Sequence, residues 1–309
     1  MALKVHLLTQ NNEKTISKAL ESLSLLNAEI IVGDMGSKDG THGICLKNNV
    51  KVIHLNNVSD RSKLRNELLG PDMNFYLEPW EILTSGHDNI RSAGNGNYQI
   101  QVYRDNIITR ETRLWKGSLF ENPVYETLKC ANLQPLDAAI YSVGANQLDI
   151  NKTLEVTRSW RESTRKIDPY YYEAITLLIA RKFDEFVTIS EHYLSLDETS
   201  MSATMLRYYL AQILLFNFED ASKSVRHILM CLAIKPTMAE FWCVLGDIYY
   251  KLKKYKKSKS FYENAMILGM RRKNDDWPID LDKYKNHPER MISNIDEVLT
   301  NKLFGQSVN

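Results

Sequence analysis

Near residue 150 the hydrophobic pattern changes period, and this constrains the fold more than any other feature of the chain. Before it, short apolar runs at residues 5–8, 30–32, 50–55, 75–77 and 98–103 have strand length, while residues 15–26 and 62–69 carry a 3.6-residue period. Strands alternating with helices imply crossover connections and an α/β unit with a mostly parallel sheet, covered on both faces. Ligands of such sheets bind beyond the carboxyl ends of the strands. From Asn151 onward strand-like alternation stops, and stretches rich in Leu, Ala, Tyr, Lys and Glu predict an all-α half. A chain of 309 residues exceeds what one hydrophobic core usually serves, so we divide it into residues 1–150 and 151–309.

Composition excludes several classes. A formal net charge of +1 provides no global field for nucleic acid or an acidic membrane surface. Cys45, Cys130, Cys231 and Cys243 lie without a CxxC pair or nearby histidine ligands, which argues against a disulfide framework or a structural zinc site and fits a reducing compartment. The seven histidines show no ligand spacing and read as structural or surface residues. The amino terminus runs straight into a strand pattern, and no apolar stretch approaches the ~20 residues of a membrane span, so the expectation is a cytoplasmic protein without one.

In the second half, residues 239–272 place Trp242, Leu245, Gly246, Tyr249, Tyr262 and Ala265 at the offsets of a 34-residue tetratricopeptide repeat, which this segment resembles. Small residues permit close helix crossing, and the aromatic rings fill the groove between the two helices. A step of 34 residues back gives Tyr208, Ser224, Cys231 and Pro236, and another reaches residues 171–199, with Phe183 opening a second helix. Three helical hairpins with a capping helix at residues 286–303 make a small solenoid. Such arrays bind partners, so this half is read as a surface for a peptide or protein, or for a homodimer.

The first half carries Leu7-Leu-Thr-Gln-Asn-Asn-Glu-Lys after its first strand, then a helix ending Ala19-Leu-Glu-Ser-Leu. Glu29-Ile-Ile-Val-Gly-Asp-Met-Gly-Ser-Lys-Asp-Gly-Thr follows. Over residues 5–41 this resembles the opening of family 2 glycosyltransferases, which have a GT-A-like nucleotide-sugar-binding fold. Joined to tetratricopeptide-like helices, the layout is similar to that of peptide S-glycosyltransferases. The resemblance implies a nucleotide-sugar donor, UDP-linked, held by Thr9, Asn11, Asp34, Gly36 and Ser37. A carboxylate at a strand end can accept hydrogen bonds from a uracil imide or ribose, and a glycine lets the backbone turn close by. Read as local structure alone, Asp34-Met-Gly-Ser-Lys-Asp-Gly is a turn and a helix cap, whereas Thr9, Asn11 and Asp34, at two successive strand ends, fit the nucleotide role. Arg65, in Asp60-Arg-Ser-Lys-Leu-Arg-Asn, is similar to the family's Arg-Asn pair and by analogy faces the nucleotide.

The family's metal-binding Asp-x-Asp corresponds to Glu78-Pro-Trp-Glu, so Glu78 takes the first position, Trp80 the second and Glu81 the following acidic one. Ser142 stands where a metal-binding histidine is common. A tryptophan cannot coordinate a hard cation, so Mg²⁺ or Mn²⁺ is expected to be absent or weakly held, and no cofactor is expected. The stretch from Arg113 resembles a family segment ending Val-His-Glu, with Tyr125 for His and Glu126 retained. Glu126 is the first candidate base and Glu81 the second. Without a metal, Arg65, Arg113 and Lys116 are the cations left to offset a departing diphosphate, with Glu78 and Arg113 counted in the donor site. The alternatives are a catalytically silent interaction protein, or a transferase acting on nucleic acid or glycan.

Overall fold

The computed structural model describes residues 2–55, 60–144, 149–270, 272 and 277–303. It has two compact units, Met1–Asp149 with Asp276–Ile279, and Ile150–Asp275 with Asp280–Asn309.

The first unit is built on strands β1 (Leu3–Thr9), β2 (Glu29–Asp34), β3 (Lys51–His54), β4 (Met73–Tyr76) and β5 (Glu81–Ser85). It continues with β6 (Asn97–Arg104), β7 (Ile107–Trp115), β8 (Phe120–Glu121), β9 (Thr127–Leu128) and β10 (Leu133–Ser142). Helices α1 (Ile16–Ser22), α2 (Thr41–Lys47), α3 (Arg61–Asn66) and α4 (His87–Ser92) lie between the early strands. The main sheet runs β3-β2-β1-β4-β7-β6-β10-β5. Its first four strands are parallel, and so are β6 and β10. The β4–β7, β6–β7 and β5–β10 pairs are antiparallel. The sheet is therefore mixed, which corrects the expectation of a mostly parallel one. The reversal follows from the β6–β7 hairpin, whose two-residue connection has Asp105 at a φ of 51°, the left-handed region that such turns demand.

Alternation in the strands fixes both faces. Val5, Leu7, Val32, Phe75 and Leu77 pack with Ile16, Ala19 and Leu20 of α1, whereas Leu8, Ile31 and Leu55 pack with Leu64 and Leu68 beside α3. A single register shift would exchange these sets, so burial on both sides pins the strands.

The second unit contains α5 (Ile150–Ser163), α6 (Asp168–Ile179), α7 (Phe183–Leu196), α8 (Met201–Phe216) and α9 (Ala221–Ile234). α10 (Ala239–Lys251), α11 (Tyr255–Gly269), α12 (Leu281–Tyr284) and α13 (Asn286–Leu303) complete it. Consecutive helices pack as hairpins α6–α7, α8–α9 and α10–α11, with α13 against α11. The three hairpin turns are alike: Arg181, Glu219 and Lys253 each adopt a left-handed φ of 54–56° just before the N-cap residue of the second helix. Close crossing is local and chemical. A Cβ on Gly246 would stand 2.6 Å from the Tyr262 ring, and the Ser258 hydroxyl donates to the Gly246 carbonyl at 2.8 Å. One repeat earlier, Ser224 donates to the Ala211 carbonyl at 2.6 Å. Among the described residues no helix is long and apolar enough to cross a membrane.

Candidate functional site

Three strand ends converge where the order of the parallel strands reverses, between β1 and β4, the position at which open α/β sheets bind ligands. The β1 and β2 ends are joined through their loops. Met35 N–H donates to the Thr9 carbonyl at 2.9 Å, and the Thr9 hydroxyl to Asn12 Oδ1 at 2.9 Å. Asn11 N–H donates to Ser37 Oγ at 3.0 Å, and Lys38 N–H returns to Asn11 Oδ1 at 2.8 Å. Asp34 is buried, and its Oδ1 accepts from both Ser37 N–H at 2.9 Å and the Ser37 hydroxyl at 2.6 Å. Gly36 makes this turn at a φ of 85°, which an L side chain adopts only with strain. Thr9, Asn11, Asp34, Gly36 and Ser37 thus share one edge, and their first task there is to fasten the two loops.

Beyond β4 the chain turns through Glu78-Pro79-Trp80-Glu81, with Glu81 N–H on the Glu78 carbonyl at 2.9 Å and proline at the second turn position. Glu78 N–H donates in return to Glu81 Oε2 at 3.0 Å. The Glu81 side chain is 0% exposed, and Arg113 grips it with two bonds of 2.7 and 2.8 Å, while Arg104 adds a third at 3.1 Å. Arg113, 1% exposed, also donates to Glu111 Oε2 at 2.7 Å and lies 4.2 Å from the Tyr76 ring centroid. These two placements differ from what the sequence reading expected. Four donors converge on the two Glu81 oxygens, as on an anchor, and Arg113 is buried between the Glu81 and Glu111 carboxylates. Both lie on antiparallel-paired strands, β5 and β7, where cross-strand neighbours complete the pairing.

Arg65 is buried on α3 between Glu78, which accepts from Nη2, and Glu126, whose Oε1 accepts from Nε at 3.1 Å. Arg61 Nε donates to the same Glu126 oxygen at 2.8 Å. Burial raises the carboxyl of Glu126, but Arg61 and Arg65 outweigh it and hold the group below the ordinary carboxylate range. Burial, with Glu81 and Glu126 nearby, pushes Glu78 the other way, above that range. Among the described residues, Arg65 Nη1 and Glu78 Oε2 are buried and find no hydrogen-bond partner. Tyr125, beside Glu126, holds a φ of 52°, an uncommon conformation for a bulky residue. The Asn66 side chain closes two bonds to the backbone of Phe120, at 2.8 and 3.0 Å, which fixes β8 against α3.

A divalent metal does not fit the Glu78, Trp80 and Ser142 positions. Glu78 is engaged by Arg65, Trp80 offers an indole, and the Ser142 hydroxyl donates to the Gly144 carbonyl at 2.7 Å. The sequence reading passed over Arg61, Arg104 and Glu111, which complete this network. It also passed over His42 and His54, which the fold brings within 4.8 Å of Asp34 although no short motif joins them. Lys116 reaches Asn95 at 3.3 Å and Asp72 at 3.9 Å. A cavity of about 500 Å³ opens at the opposite, amino-terminal end of β1, lined by Lys4, Asn27, Glu29 and Asp72 among others, and holds none of the residues singled out from sequence.

No family model matches this chain, and no curated protein matches it. Several solved structures do. MamA from Desulfovibrio magneticus RS-1 is similar at 19% identity over 49% of this chain and 82% of its own, with a TM-score of 0.39. The Sgt2 tetratricopeptide domain from Aspergillus fumigatus is similar at 13% identity over 47% and 87%, with a TM-score of 0.37. The first tetratricopeptide domain of human RPAP3 is similar at 13% identity over 44% and 94%, with a TM-score of 0.35. These are tetratricopeptide-repeat proteins, matched by the helical unit, and similarity at this level assigns no function.

Proposed function

We propose that this protein is a glycosyltransferase that takes a sugar from a nucleotide-sugar donor, UDP-linked, and passes it to a peptide or protein without a divalent metal in the transfer step. The observation that carries the reading is the convergence, at the strand-order reversal, of buried Asp34 with the Arg65–Glu78–Glu126 cluster. The first supplies a carboxylate for base or ribose, the second a buried cation between two carboxylates of opposite pKa shift. Such pairs are characteristic of acid–base sites.

In the proposed step the acceptor's nucleophile bonds to the anomeric carbon while the bond from that carbon to the diphosphate oxygen breaks. The acceptor's proton passes to Glu126, and the nucleoside diphosphate leaves with its charge offset by Arg65 and Arg61. A carboxylate held by two arginines is a weak base. It suits a thiol, whose ordinary pKa near 8.5 asks less of the base than an alcohol does, and this agrees with the resemblance to peptide S-glycosyltransferases. The helical unit is the proposed acceptor surface.

A second reading, a silent transferase fold acting as an interaction module, is favoured by the same ion pairs, because Glu81 and Glu126 are both engaged by arginine. A screen of nucleotide sugars against peptide acceptors, with Mn²⁺ or EDTA, separates the two. Turnover is expected to survive EDTA and to fall by about 10²- to 10⁴-fold in Glu126→Gln with nucleotide affinity retained. Nucleotide binding with no hydrolysis or transfer supports the silent module, and strict Mn²⁺ dependence overturns the metal-free step.

A further inference from the structure

We propose that Asp34, His42 and His54 form a binding site for a borderline divalent transition-metal ion such as Zn²⁺. The site follows from one crossover. β2 ends on Asp34, α2 carries His42 in its first turn, and β3 ends on His54, which the parallel register sets directly beside Asp34. Each of the three offers a ligand atom, and these atoms lie within 4.8 Å of one another.

Each ligand is prepared by its surroundings. Ser37 occupies Asp34 Oδ1 with two hydrogen bonds, which orients the carboxylate and leaves Oδ2 facing His54 Nδ1 at 4.0 Å, too far for a hydrogen bond. Among the described residues, His42 Nδ1 is shut from water and has no hydrogen-bond partner. The His42 and His54 rings stack at 5.1 Å between centroids, so both imidazoles already stand at the carboxylate.

A tetrahedral ion with bonds of about 2.0–2.1 Å needs ligand atoms about 3.3 Å apart. His54 is largely exposed and free to turn inward by the difference from 4.0 Å. Two imidazoles and one carboxylate suit zinc, cobalt or nickel, whereas magnesium and calcium prefer oxygen throughout. Cys45, three residues after His42, is not among the clustered ligand atoms. Three protein ligands leave a coordination position for water or another molecule. The site is separate from Glu78 but shares Asp34 with the proposed nucleotide edge, so an ion held there would compete with a base or ribose for that carboxylate. Its binding test does not rest on the transferase reading.

The test is calorimetric titration of the chelator-stripped full chain with ZnCl₂, paired with the visible d–d absorption of the Co²⁺ form. We expect one ion per chain and a tetrahedral cobalt spectrum. His54→Ala, at an exposed position that the fold does not need, weakens binding by at least about tenfold, as does His42→Ala. Cys130→Ser leaves binding unchanged, which excludes capture by the half-buried thiol. MgCl₂ gives no saturable heat. Absence of Zn²⁺ binding by the unaltered chain overturns the proposal. So does binding that both histidine variants retain at full strength, or that disappears with Cys130.

Discussion

Replacing Glu81 tests whether it is an anchor, as its surroundings require, or a base. Its two oxygens accept from Arg113 at 2.7 and 2.8 Å, from Arg104 at 3.1 Å and from Glu78 N–H at 3.0 Å. Removing one member of a buried ion pair typically costs about 3–5 kcal/mol, because the partner's charge stays behind without water. In Glu81→Gln the cost lies at the lower end, about 3 kcal/mol. Arg113 keeps Glu111 at 2.7 Å, and Arg104 is already 38% exposed to solvent. Arg113→Met is worse, about 5 kcal/mol, since Glu81 is 0% exposed and retains only Arg104 as a cation. For a unit of about 150 residues these correspond to thermal shifts of roughly 6–12 °C and 10–20 °C. The double variant Glu81→Leu/Arg113→Met removes both charges and should return to within about 2 kcal/mol of the parent. Thermal melts of the full chain measure the midpoints, and hydrogen exchange of peptides from β5 and β7 assigns the change to the first unit. A double variant as unstable as the sum of the singles refutes the pairing argument. Glu81→Gln at the parental midpoint, with transfer lost, would restore Glu81 as a base.

Two further predictions concern other parts of the molecule. Ser224 and Ser258 each donate across their hairpin to a carbonyl, so replacement by Ala should cost about 1 kcal/mol, whereas Ser190, buried without a partner, should become neutral or stabilising as Ala; equal losses in urea unfolding would contradict this. Burial raises the Glu111 carboxyl, but Arg113, Arg104 and Thr109 outweigh it and bring the group from 4.5 down to about 2. The stabilisation it provides is therefore complete above pH 4.5 and lost as pH falls toward 2, and Glu111→Gln should flatten acid unfolding in that window.

The helical half was the more legible one, for a physical reason. Ser190, Ser224 and Ser258 lie 34 residues apart, and all three are buried where two helices cross. The aromatic positions drift between repeats because a groove of given volume can be filled in several ways, but a crossing point admits only a small side chain. In the α/β half, β1 to β4 and β6 stood out as apolar runs. β7 did not, since Ile107–Trp115 carries Arg110, Glu111 and Arg113 along the strand. Glu111 and Arg113 suit the strand because Arg104 and Glu81 meet them. The partners are 7 to 32 residues away in sequence, a separation that no local pattern encodes. The same holds for His42 and His54, which no motif links to Asp34 and which a single β2–α2–β3 crossover assembles.

Electrostatic balance in the buried network bears on what the edge can recognise. Arg61, Arg65, Arg104 and Arg113 are paired with Glu78, Glu81, Glu111 and Glu126, four charges of each sign. Fully ionised, the network is neutral and offers an incoming diphosphate no net attraction. The Glu78 carboxyl is displaced upward while an arginine already contacts it. Protonating Glu78 removes one negative charge, and Arg65 is then left with Glu126 as its carboxylate partner. An anion arriving beside Arg65 would favour that proton further, because it repels the Glu78 carboxylate. Under the proposed function, proton uptake at Glu78 and anion binding at Arg65 would be two halves of one equilibrium. A phosphate beside Arg65 would in this way be accommodated by adjusting one proton, whereas a hard cation at Glu78 would have to displace Arg65.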